Sequence, residues 1–159
     1  VNLTRVAIAV ILVGASIPVA AEISQPDLST LTRGAKRVVV ATVIAVDPVF
    51  QSNEFGDQLI VSRTHLRVDE VLKPGQTGES QTVVMELEGG TIGDLTLTVS
   101  DLPVLARGER AVIFLQENSR GAIVPHERGH GILELDASDH VKGTGLALAA
   151  VRRAVAAAR

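Results

Sequence analysis

From Arg37 onward the chain alternates between runs built for sheet and short polar breaks. RVVVATVIAV (37–46) is almost continuously β-branched. It is apolar on both faces, so it reads as a central strand with cover on each side. DPVFQSNEFGDQ (47–58) carries Pro, Gly and polar residues, and reads as a loop. LIVSRTHLRVDEVL (59–72) is a long strand with Thr64, Leu66 and Val68 on one face and Arg63, His65 and Arg67 on the other. The phase of its apolar side shifts along the run, which predicts a bulge or coiling. KPGQTGES (73–80) is a turn-rich loop. TVVMELEGG (82–90) alternates cleanly, with Val83, Met85 and Leu87 opposed to Val84, Glu86 and Glu88. LTLTVS (95–100) places Leu95, Leu97 and Val99 inside by the same period. LPVLARGER (102–110) connects to AVIFLQ (111–116), a buried strand, and AIVP and GILELDA read as two shorter strands further on.

Helical signals stand only at the two ends of this series. PDLSTLTRGAK (26–36) predicts a short helix or turn, capped by Asp27 or Ser29, ended by Gly34, with Leu28 and Leu31 inward. GTGLALAAVRRAVAAAR (143–159) predicts a helix over about 143–158. Leu148, Val151 and Val155 fall at spacings of three and four, and arginines gather toward its C-terminal end. Five to seven short strands, Gly-rich turns and a final helix predict a mainly β chain, a closed or nearly closed β-barrel with a C-terminal amphipathic helix.

The first 21 residues follow a different pattern. VNLTR with Arg5, the apolar run VAIAVILVGASIPVA, and small residues at Val19, Ala20 and Ala21 read as a secretory signal peptide cleaved after Ala21. The run is short for a full span, and Gly14, Ser16 and Pro18 interrupt it. The expectation is export to the periplasm or outside the cell, no membrane insertion after signal removal, and one domain over 22–159.

Composition narrows the partners. There are 15 Lys and Arg against 18 Asp and Glu, a net charge of −3, which gives no electrostatic reason to bind nucleic acid or anionic lipid. The chain has no cysteine, so thiol catalysis and Cys-based zinc sites are excluded and an exported domain must rely on its core alone. Trp and Tyr are absent, and the three aromatics are Phe50, Phe55 and Phe114. Sugar and single-strand nucleic acid ligands, which stack on rings, are disfavoured.

The order VVVATVIAVD, LRVDEVLKPG, VVMELEGG, GERAVIFL and a terminal helix resembles a group of uncharacterised exported bacterial β-domain proteins over most of Leu28 to Ala157. More loosely, V-x-A-x-V followed by V-x-E-V-L-K-x-G is similar to the netrin-like, OB-type barrels of metalloproteinase inhibitors and complement proteins. That resemblance implies the fold and a bias toward binding. The inhibitors' zinc-chelating N-terminal cysteine has no counterpart here, so their mechanism does not carry over.

One motif stands apart: His126-Glu127-Arg128-Gly129-His130, an H-E-x-x-H. On a helix, His126 and His130 would share one face and one zinc, and Glu127 would activate the bound water. Asp136 lies where some zincins place a third ligand, and His140 is an alternative. Against this, Gly129 and Gly131 fall inside the required helix at about 1 kcal/mol each. Gly121 and Pro125 leave no helix running in, Arg128 replaces a buried aliphatic, and ILELDA has a strand period. On a strand the two histidines would stand about 13 Å apart. Three readings stay open: a zinc metallohydrolase with Glu127 as base, a non-catalytic metal site using His126, His130 and Asp136 or His140, and a polar loop with solvated histidines.

Weaker features add little. Glu86 and Glu88 share a strand face, but rings to hold a sugar are missing. EGGTIGD (88–94) lacks the following helix of a phosphate cradle, and its glycines suit a tight turn or bulge. The expected role is an exported, non-catalytic binding module directed at another exported protein, with no cofactor. The zinc metallohydrolase and a structural envelope component are the alternatives.

Overall fold

The computed structural model describes residues 27–53, 55–75 and 80–159. The expected signal peptide, residues 1–21, lies outside them, as does part of the 73–80 loop. The chain is mainly β. Its elements are α1 (Leu28–Gly34), β1 (Arg37–Ser52), β2 (Gln58–Lys73), β3 (Thr82–Glu88), β4 (Gly90–Ile92), β5 (Leu95–Leu97), β6 (Arg110–Glu117), β7 (Ile123–Pro125), β8 (Ile132–Leu135) and α2 (Leu148–Ala158).

Five strands form a ring-like sheet in the order β1-β2-β3-β7-β6, with β6 returning to pair with β1. All contacts are antiparallel except β3–β7, which is parallel and has one residue pair, Met85 with Ile123. β8 continues along the β6 edge that β7 begins: β7 pairs with Leu115–Glu117 of β6 and β8 with Arg110–Ile113. Bulges bend the β1–β2 pair where Leu72 and Asp69 of β2, and Ile44 of β1, are skipped in the register. That is the coiling expected from the phase shift in β2.

β1 and β6 are buried on both faces, for two different reasons. Val39, Ala41, Val43, Ala111, Ile113 and Leu115 point into the ring with Leu66, Val83, Met85 and Leu87. Val38, Val40, Val112 and Phe114 point outward, into a second core closed by Leu31 of α1 and Leu148, Val151 and Val155 of α2. The double cover is why 37–46 contains so few polar residues.

α1 begins where Asp27 accepts hydrogen bonds from the Ser29 and Thr30 amides (3.0 and 3.2 Å). It ends where Lys73 donates to the Thr32 and Ala35 carbonyls, both at 2.6 Å, so the last turn of the helix is tied to the end of β2.

Three boundaries differ from expectation. The 47–58 loop shrinks to residues 53–57, because β1 and β2 stay paired out to Ser52 and Gln58. Pro48 is tolerated since the β1–β6 pairing ends at Thr42, leaving that side of β1 open. Leu95 is 61% exposed rather than inside, because β5 pairs only with β4 in a separate two-stranded hairpin. α2 starts at Leu148 rather than near 143, since Gly143 and Gly145 adopt positive φ (80° and 68°) in the preceding turns.

Candidate functional site

The H-E-x-x-H residues do not form an α-helix. They are an excursion from one interrupted strand. Pro125 still pairs with Leu115, and the His126 amide donates to the Phe114 carbonyl at 2.7 Å. Residues 127–131 then leave the sheet, and Ile132 resumes opposite Ile113. Glu127 and Arg128 both sit in the left-handed region (φ 56° and 54°), and Arg128–Gly131 make a single 3-10 turn. The spacing of four that would put two imidazoles on one helical face is therefore lost.

Each predicted ligand has another place. The His126 ring is 15% exposed, and its Nδ1 is hydrogen-bonded to Gln116 Oε1 at 2.8 Å. Its other edge lies on α1: a Cβ added at Gly34 would be 2.1 Å from Nε2. Glu127 is largely solvated, with its Oε1 3.9 Å from His126 Nε2. His130 is exposed. Asp136 lies beyond the end of β8, where its Oδ1 accepts from the Ser138 and His140 amides (2.8 and 2.9 Å). The His140 amide holds its carboxyl below the ordinary value of 3.8. His140 Nδ1 stands 4.0 Å from that carboxylate. Among the described residues no three His, Asp or Glu side chains are placed to hold a metal ion. The fourth histidine, His65, pairs with Asp47 across β1 and β2 at 2.9 Å.

What the turn does hold is the loop at 99–105. Arg128 donates from Nε to Asp101 Oδ2 (2.6 Å) and from a terminal nitrogen to Asp101 Oδ1 (3.2 Å), and reaches Glu88 at 3.2 Å. The hydrogen bond to Asp101, then that to Glu88, push the guanidinium pKa up, and the same bond to Arg128 pulls the Asp101 carboxyl down. Gly129 packs so tightly that an added Cβ would lie 1.8 Å from the Asp101 carbonyl oxygen, and one at Gly131 would lie 1.9 Å from the His126 carbonyl oxygen. The two glycines that argue against a helix are required by these contacts. Arg128 and Gly129 thus clasp the 99–105 loop to the rim of the ring.

Beneath that loop lies a concavity of about 360 Å³ at one end of the ring. Thr64, Leu87 and Val46 line it from the ring, Leu97 and Val99 from the β5 side, and Leu102 and Leu105 from the clasped loop. Gly89 and Gly90 bring the chain close over β2: a Cβ on Gly90 would stand 2.6 Å from Ser62 Oγ, which already donates to the Gly89 carbonyl. The EGG glycines were expected in a tight turn or bulge, and Gly89 and Gly90 adopt positive φ (110° and 132°) where β3 passes into β4. The pocket itself was not read from the sequence, although the shared face of Thr64, Leu66 and Val68 carried the signal of a polar group among apolar ones.

A second feature is the outer end of the β1–β2 hairpin. β2 pairs with β3 only as far as Val61, so among the described residues the ends of β1 and β2 ladder only with each other. Its turn is braced by Asn53, whose Oδ1 accepts from the Phe55 and Asp57 amides (2.9 and 2.8 Å). The hairpin carries Phe50 and Phe55, 51% and 82% exposed, whereas Phe114 is fully buried.

A scan against models of known protein families finds no match to this chain, and a search of curated proteins finds no relative.

Proposed function

We propose that the chain is an exported, non-catalytic binding module whose target is another exported protein. The observation that carries this reading is the placement of the phenylalanines. Of three aromatic residues in 159, two stand exposed on one braced hairpin. Burying such rings is worth about 1.5–3 kcal/mol each, and aromatic residues, Phe among them, are enriched at protein interfaces. An OB or netrin-like β-barrel is the proposed scaffold. The strand order β1-β2-β3-β7-β6, closing on β1 and antiparallel except at β3–β7, supports it.

The test is capture from the source cell's envelope fraction with the chain lacking residues 1–21, beside a Phe50→Ser, Phe55→Ser variant of equal stability. The reading predicts a protein retained by the first and lost by the second. Equal retention by both, or none by either when correctly folded, contradicts it.

A further inference from the structure

We propose that the pocket under the 99–105 loop is a binding site for a small, neutral, mainly aliphatic molecule carrying one hydroxyl or carbonyl oxygen, recognised by Thr64. This goes beyond the protein-directed reading and stands independently of it.

Thr64 carries the argument. It sits in the middle of β2, between Val46 of β1 and Met85 of β3 in register, and is 1% exposed. Among the described residues its Oγ1 meets no hydrogen-bond partner. A hydroxyl left so in an apolar interior costs about 1–3 kcal/mol, and a valine would fill the same β-branched shape without that cost. The fold therefore gives no reason for the oxygen, whereas the adjoining pocket does.

The pocket defines the ligand's other properties. Its volume, about 360 Å³, is at the lower end of the range of small-molecule sites, which are mostly apolar with a few placed polar groups. It exceeds what one side chain of a partner would fill. Among the described residues Glu88 is the only charged one lining it, and Arg128 already pairs with that carboxylate. With no cation in the lining, a carboxylate or phosphate head has nothing to balance it, so the head is neutral. Of the other hydroxyls in the lining, Ser62 donates to the Gly89 carbonyl, Thr91 and Thr96 bond each other, and Thr98 is exposed, which leaves Thr64 as the buried hydroxyl to select the ligand's oxygen.

The test uses 1-octanol and octanoate as probes, followed by methyl and amide NMR of the whole chain lacking residues 1–21. The proposal predicts saturable octanol shifts at Val46, Leu87, Leu97 and Leu105, with octanoate at neutral pH binding more weakly. Thr64→Val preserves shape and folds at least as stably, and it should weaken octanol about five- to tenfold. Overturning results are no saturable shift, shifts confined to other surfaces, octanoate binding as well as octanol, or undiminished octanol binding by Thr64→Val.

Discussion

At Gly129 a methyl group has nowhere to go. It would meet the Asp101 carbonyl oxygen at 1.8 Å, and both partners are backbone, so neither yields cheaply. Gly129→Ala should therefore destabilise the chain by about 1–3 kcal/mol. His130→Ala, one position on and exposed, should change stability by less than about 0.5 kcal/mol. Urea unfolding of the two variants separates the roles, since a metal site would make the histidine the costly position. At this scale the sequence was legible in one direction. The glycines, Pro125 and Arg128 argued against a helix at 126–130, and the left-handed Glu127 and Arg128 agree. The partner that explains them, Asp101, lies 27 positions away from Arg128 and leaves no local period to read.

Elements were legible where burial is one-sided or double-sided along their whole length. β3 keeps Val83, Met85 and Leu87 buried, as its alternation required, and α2 buries Leu148, Val151 and Val155. Ends were less so, because they are decided by pairing: β1 runs through Pro48 only because β2 follows it and β6 does not. The same logic predicts unequal costs on α2. Val151→Ala opens a cavity in the outer core and should cost about 2 kcal/mol. Arg152→Ala removes a half-exposed pair with Glu70 (2.7 Å), worth no more than about 1 kcal/mol. Equilibrium unfolding of both checks the ranking. α1 predicts a pH dependence. Hydrogen bonds from Thr30, then Ser29, lower Asp27 from 3.8 to about 2. A depressed carboxylate contributes stability above its unfolded value, and that contribution is lost as pH falls through the folded one. Stability should thus decline from pH 4 toward pH 2, with a smaller decline in Asp27→Asn, measured by thermal unfolding across that window.

On the scale of the whole molecule, two cores share the strands β1 and β6, one inside the ring and one under the helices. That arrangement satisfies the need of a cysteine-free chain to hold itself by apolar burial alone. Away from the helices, the 99–105 loop roofs the pocket. The turn that spells H-E-x-x-H secures that roof through Arg128, Asp101 and Glu88, while His126 is turned to Gln116 and the end of α1. Among the described residues no helix is long and apolar enough to cross a membrane. The ring order was not readable from the strands' periods, because β7 contributes only three residues to it. The central claim is that this turn is a clasp rather than a metal site, and zinc content tests it most directly. The chain lacking residues 1–21 and without a His-tag would be dialysed against zinc, washed and assayed by mass spectrometry beside a His126→Ala, His130→Ala variant. The account predicts no retained zinc above that of the variant. About one zinc per chain, lost in the variant, would contradict it.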